Sequence, residues 1–351
     1  MNTFGKLFRV SILGESHGEC IGVLLDGVPA GLRLSAQDFL PDLERRKPGA
    51  AGTTARKEGD VPLIKSGVFN GKTTGAPLLV LIENKDVDSS AYEKLKDTPR
   101  PGHADLVAKL KYGGFNDYRG GGHFSGRLTA ALVIAGVVAK GMMAAVKVNT
   151  EADVVEIGGA KDAKGMKKAV DDAVANGDSV GGIVECRVNG LPAGLGEPFF
   201  DSAESLLSHA IFSIPAVKGV EFGAGFTSAG MRGSECNDQI LDARGKTATN
   251  NAGGVNGGIT NGNALVLRVA VKPTASIGKE GRTVNLKTMR LEGASSPVPS
   301  EPKTGNQVSI IVTGRHDACV ALRVPVVLEA VVAIVLADLM LMEQKIGRVV
   351  R

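Results

Sequence analysis

Tryptophan is absent from this chain of 351 residues, and aromatic residues of all kinds make up only 4% of it. Its core must therefore be built from Ala, Val, Ile and Leu. Paired cysteines are also missing: Cys20, Cys186, Cys236 and Cys319 are scattered, form no CxxC, and have no histidine at metal-ligand spacing. This excludes a structural zinc and any metal centre read from spacing, and it fits reduced thiols in a cytoplasmic protein. The N-terminal stretch MNTFGKLFRVSILG has no long apolar segment and no small-residue cleavage site, so no secretory signal is expected. The net charge of +4 is small, and basic and aromatic residues do not interleave, which argues against nucleic acid as a partner. The usual nucleotide signatures are incomplete as well. Gly245-Lys246-Thr247 has Ile240 where a phosphate-binding loop needs glycine, and the run from Gly223 has Ser228 in place of the third dinucleotide-fold glycine.

What the chain does have is glycine, 47 residues of it, which implies many tight turns and close backbone approaches. Two long segments, 125–146 and 323–342, are apolar almost all round and must be covered on every side. The second approaches the length of a membrane span. Pro325, Glu329 and Asp338 lie within it, however, and an acid near the bilayer centre costs about 2.5–3.5 kcal/mol on insertion scales. A buried helix is expected instead, with no membrane contact.

Strand-like runs at 21–25, 76–83, 180–188, 264–271 and 308–313 are bounded by turn residues. The run DGVPAGL at 26–32 is echoed by NGLPAGL at 189–195, and each is followed by a helix signal, Ser35 with Asp38 and Asp201 with Glu204. The expected class is α+β: one domain over 1–351 with two pseudo-equivalent halves, about 1–150 and 151–351 if they arose by internal duplication. Its apolar helices would be packed between sheets in a β-α-β sandwich.

Chemistry-bearing residues gather in four places. Ser16 and His17 lie among glycines just before a strand, where a turn histidine held by a local hydrogen bond and a ligand-facing histidine are both sensible readings. The stretch 43–60 surrounds glycines with Arg45, Arg46, Lys47, Arg56 and Lys57, a solvated basic loop or an anion clamp. Between 100 and 131 stand Arg100, His103, Arg119, three glycines, His123, Ser125 and Arg127, ahead of an apolar helix whose N-terminus can face an anion. The fourth place is dispersed over 250–262, 272–278 and 314–323, where Arg315, His316 and Asp317 put an acid beside two bases. Asp317 could equally cap the helix that follows.

Three of these stretches, GESHGECIGVLLDGVPAG, YRGGGHFSGRLTAALVIAG and GRHDACVALRVPVVLEAVV, resemble the three characteristic motifs of the chorismate synthase family, in the same order and at similar separations. RRKPG, RPGHAD, AVKGVEFG, NNAGGVNGGI and KPTASI resemble further segments of it, so the similarity runs from about Leu7 to about Glu343. The resemblance implies a cytoplasmic homotetramer that converts 5-enolpyruvylshikimate-3-phosphate into chorismate and phosphate by a trans-1,4-elimination. Reduced FMN would be required, with NADPH as a candidate reductant. The other reading is a noncatalytic flavin- or anion-binding relative.

That substrate carries a phosphate and two carboxylates, and arginine forks pair with both group types. Arg46, Arg100, Arg127 and Arg323 are the expected substrate contacts. By resemblance, His17 protonates the departing phosphate, His103 protonates the reduced flavin, Asp317 helps remove the ring proton near flavin N5, and Ser16 and Ser125 relay protons. The resemblance also maps FMN contacts to His123, Phe124, Ser125, Pro215, Ala216, Gly257, Lys272, Pro273, Thr274, Ala275, Ser276 and Arg315. Many family members carry Arg-Ser-Ser-Ala-Arg where this chain has His123 to Arg127, so one cationic flavin contact is either lost or replaced by His123.

Overall fold

A computed structural model describes residues 2–49, 52–53, 59–85, 88–90, 92–287, 307–312 and 316–350. Two antiparallel sheets form its outer layers. The first contains β1 (Thr3–Phe4), β2 (Arg9–Gly14), β3 (Cys20–Asp26), β4 (Leu63–Ser66) and β7 (Leu78–Glu83), in the order β1-β2-β3-β7-β4, with a small ribbon of β5 (Val68–Phe69) and β6 (Lys72–Thr73). The second contains β8 (Asn149–Ile157), β9 (Gly182–Asn189), β10 (Val217–Phe222) and β13 (Leu265–Val271), in the order β10-β13-β9-β8. Two further ribbons pair β11 (Val255–Asn256) with β12 (Ile259–Thr260), and β14 (Gly281–Val284) with β15 (Gln307–Ile310).

The helices are α1 (Leu40–Arg46), α2 (Tyr92–Leu95), α3 (Asp105–Lys111), α4 (Thr129–Ala144), α5 (Ala163–Ala175), α6 (Ala203–Ile211), α7 (Gly233–Cys236) and α8 (Val324–Met342). The two apolar segments are α4 and α8. They pack on each other, α4 against β3 of the first sheet and α8 against β8 and β9 of the second, so the expected sandwich is present. Period-two alternation supplies its inner faces: Ile21, Val23 and Leu25 pair with Ile82, Val80 and Leu78, and Val184, Cys186 and Val188 pair with Val269, Leu267 and Leu265. Gly136 lets the helices touch, since a Cβ there would lie 2.2 Å from the Cβ of Ala330.

The segments carrying α4 and α8 are long and apolar enough to cross a membrane, yet 72% and 89% of their most apolar windows are buried inside the protein. The acids of α8 have structural partners. Glu329 accepts two hydrogen bonds from Arg45, at 2.8 and 2.7 Å, one from Lys140 at 3.2 Å and one from the Ala152 amide at 3.1 Å, tying α1, α4 and β8 together. Asp338 accepts from the amides of Lys6, Leu7 and Phe8 at 2.7–2.8 Å, which fixes the turn between β1 and β2.

Both echoed turns lead from a strand through a 3-10 turn into a helix, from β3 to α1 and from β9 to α6. Ser35 and Asp38 do pair at the first helix entry, the Ser35 amide donating to Asp38 at 2.7 Å. At the second, the cap is Ser202 rather than Asp201. Its hydroxyl accepts from the Ser205 amide at 3.0 Å, while Asp201 lies one residue too early and pairs with Lys6 at 2.5 Å. Strands β2, β8 and β10 escaped the sequence reading. In β8 the first inward positions are Thr150 and Ala152, a weak apolar signal, and a register shift between Val154 and Glu156 breaks its period.

Candidate active site

Two cavities meet on one side of the sandwich. The smaller, about 210 Å³, is lined by Arg46, Lys47, Arg100, Arg127 and Arg323, with His316 and Asp317 among its other polar side chains. The larger, about 710 Å³, has an apolar floor that includes Ile12, Leu132, Val320, Val331 and Ile334. His103, Ser125, Gly126, Thr274, Ala275 and Asp317 line both and form the wall between them.

Local sequence explains how the cations are held. Arg46 ends α1 and Arg127 precedes α4, and both are buried against Asp60: Arg46 Nη2 donates to it at 2.8 Å, and Arg127 Nη1 pairs with its other oxygen. Burial pushes the Asp60 carboxyl up, but the two guanidiniums prevail and hold it below the usual carboxylate range. Arg46 Nε is buried with no acceptor among the described residues, a donor that a ligand oxygen would satisfy. Arg323 donates from Nε to the Arg46 carbonyl at 2.9 Å and from Nη1 to Asp317 at 2.9 Å. Asp317 therefore does not cap α8, whose N-cap position is Arg323.

Arg100 is heavily engaged. Its Nε and Nη2 grip Asp105, both at 2.8 Å, its Nη1 donates to Ser276 at 3.0 Å, and Asp105 in turn lies 2.6 Å from His103 Nδ1. Burial raises the Asp105 carboxyl, but the hydrogen bonds from Arg100 and His103 outweigh it and hold the group well below its ordinary value. His316, which also lines the small cavity, is pushed down by burial and by nearby Arg100, and its Nε2 is buried without a hydrogen-bond partner among the described residues.

His17 lines neither cavity; it is buried beside Gly120 and Tyr92, which line the small one. Its Nδ1 lies 2.8 Å from the Ser89 hydroxyl, and its ring makes an edge contact with Tyr92, which lines the small cavity. Gly120 makes room for it: a Cβ there would fall 2.5 Å from His17 Nε2 and 2.7 Å from Ser16 Oγ, and its φ of +60° suits glycine. Ser16 Oγ is itself buried and unpartnered. Ser125 uses its hydroxyl as a cap, accepting from the Arg127 amide at 3.3 Å.

His123, Phe124, Pro215, Ala216, Lys272, Pro273, Thr274 and Ala275 all line the large cavity. His123 spans the Gly14 carbonyl and Asn2 Oδ1, both at 3.1 Å. Ser276 faces the small cavity instead, where it accepts from Arg100. Gly257 lies on neither cavity; it forms the tight turn between β11 and β12. Arg315, like Arg56, Lys57 and most of residues 50–58, lies outside the described residues. Asp60, Asp105 and Tyr92 were missed as site residues by sequence reasoning, and His316 was noted among the chemistry-bearing residues without a role. The first two had a usable signal, because arginines that are to be buried require carboxylates close by.

A sandwich whose wall separates an arginine-lined cavity from a larger apolar one offers room for a small polyanion beside a second, mainly apolar group. A sequence model of the family described as chorismate synthase matches residues 8–341, and the chain belongs to that family. It is 61% identical to the chorismate synthase of Chitinophaga pinensis over 349 residues, 99% of each chain. It is 45% identical to that of Thermococcus gammatolerans, again over 99% of each. A crystal structure of a chorismate synthase superposes with a TM-score of 0.73 at 28% identity, covering 97% of this chain and 93% of the other.

Proposed function

We propose that the protein catalyses the trans-1,4-elimination of phosphate from 5-enolpyruvylshikimate-3-phosphate to give chorismate, with reduced FMN as its cofactor. The observation that carries this reading is the shared wall: His103, Ser125 and Asp317 face both cavities at once. A phosphate and two carboxylates suit the small cavity, where Arg46, Arg127 and Arg323 are already oriented by Asp60 and Asp317. The large cavity fits a flavin, being of ordinary cofactor size, and Thr274 Oγ1 is buried there without a partner among the described residues. Pro215, Ala216, His123, Phe124 and the run Lys272 to Ala275 would hold it. Held by these residues, reduced FMN would supply transient electron donation to the allylic system, with no net redox change.

The protein's part is to bind, orient and move protons. The C–O bond to phosphate and one ring C–H bond break, and a new double bond forms. His17 gives its proton to the departing phosphate, and Asp317 helps to remove the ring proton. Ser16 Oγ and Ser125 Oγ are the relays, and His103 holds a proton on the shared wall. A cytoplasmic homotetramer belongs to the same reading.

The test is to mix the protein anaerobically with the phosphorylated substrate and chemically reduced FMN, and to follow phosphate and chorismate together. Stoichiometric release of both is expected. Binding of FMN without turnover would establish the noncatalytic alternative. Repeating the assay in air with oxidised FMN and NADPH separates a self-reducing enzyme from one that depends on an outside reductant.

A further inference from the structure

His103 Nδ1 lies 2.6 Å from Asp105 Oδ1 and 3.0 Å from Arg100 Nη2, and the two contacts demand different tautomers. Arginine only donates, so a bond from Nη2 would require a bare lone pair at Nδ1. That lone pair would then face a carboxylate oxygen at 2.6 Å, lone pair against lone pair. If Nδ1 carries the proton, it donates to Oδ1, and Nη2 is satisfied by the same oxygen at 2.8 Å. Only the second arrangement is consistent.

The surroundings support it. Arg100 clamps both oxygens of Asp105, so the carboxylate cannot rotate away from the ring. Of the other ionisable groups near the ring, Lys272 donates to the Gly102 carbonyl at 2.6 Å, Asp317 is bound by Arg323, and His316 is biased toward its neutral form by burial and by Arg100. On the far edge, a Cβ at Gly121 would sit 3.6 Å from His103 Cε1 and 3.9 Å from Nε2, so the glycine leaves that edge uncovered.

We infer that Asp105 is a positioning residue that holds His103 in the Nδ1–H tautomer, so that Nε2 is the nitrogen that takes up and releases the working proton at the wall between the cavities. The catalytic half of this statement rests on the proposed function, while the tautomer half does not. Arg100 accordingly acts in large part as the clamp on Asp105: Asp105 and Ser276 take three of the five guanidinium N–H donors, leaving one hydrogen on Nη1 and one on Nη2.

Nitrogen NMR of protein labelled with 15N-histidine tests it, with the His103 signals assigned by their loss in His103→Gln. The neutral His103 ring is expected to be protonated at Nδ1 in the parent and to shift toward Nε2–H in Asp105→Asn, whose amide can donate to Nδ1. In the lyase assay, Asp105→Asn should lower kcat by about 10- to 100-fold with KM changed less than about threefold, and Asp105→Glu should recover part of the loss. A parent ring protonated at Nε2, or a tautomer unchanged in Asp105→Asn, overturns the inference. The parent spectrum alone decides this if the variant does not fold. Absence of turnover in the parent would count against the proposed reaction and leave the tautomer result standing.

Discussion

Glu329 and Asp338 on α8 and Asp60 and Asp105 behind the small cavity are all carboxylates largely enclosed by protein, but they face different partners. Those on α8 are spent on the fold: Asp338 takes three backbone amides, and Glu329 takes one amide and two cations from neighbouring helices. Those at the cavity are spent on arginines and a histidine, and they leave other edges of these groups over, such as Arg46 Nε, which has no partner among the described residues. In the core a carboxylate completes its neighbours' hydrogen bonding. At the cavity it orders cations without using them up, which pre-organises an anion site.

The contrast can be broken most sharply at the cavity. His17→Ala and His103→Ala should each slow turnover by roughly 10- to 10000-fold while leaving ligand binding in place, checked by steady-state rates and equilibrium binding of the substrate. Wild-type rates across pH 6–8 in either variant would remove that residue from the mechanism.

Asp317→Asn comes next. The residue holds Arg323 and is not a helix cap, so the variant should melt within a few degrees of the parent, because Asn still accepts from the guanidinium. Turnover should fall by about 100-fold with FMN affinity little changed. An active variant would assign the residue to orientation alone.

On the core side the effect should appear in stability and not in rate. Asp338→Ala strands three amides, one of them the buried Phe8 N–H, and should cost about 2–3 kcal/mol in a denaturant titration with kcat within about twofold of the parent. A large loss of activity in well-folded Asp338→Ala would blur the division between the two sets.

The smallest effect is on the acid limb of stability. The folded pKa values of Asp60 and Asp105 lie below their unfolded values near 4, so their contribution is complete above that pH and is lost as the pH falls through the lower folded values. Melting temperatures between pH 2 and 7 should therefore drop more steeply for the parent than for Asp60→Asn. Parallel curves would show that Asp60 is not held low by its arginines.

Local pattern carried much of this molecule. Alternation in β3, β7, β9 and β13 and the all-round apolarity of α4 and α8 were readable because each depends on residues a few positions apart. The acids in α8 already ruled against a membrane, and the motifs around His17, His103, Ser125 and Asp317 marked chemistry. The rest depended on distance in space. Glu329 meets Arg45 across 284 residues, Asp338 meets Lys6 across 332, and Arg100 meets Ser276 across 176.

By itself, then, the sequence determined the layers, the two covered helices and the set of residues available for chemistry, since hydrophobic period and residue type are local properties. Only the tertiary structure decided that Asp60 joins Arg46 to Arg127, that Asp317 holds Arg323 and caps nothing, that Ser202 takes the cap expected of Asp201, and that two cavities share a wall. Those outcomes are set by which buried charge finds which partner. A buried charge must be neutralised by whatever the fold brings within hydrogen-bond reach, however far away in the chain that group lies.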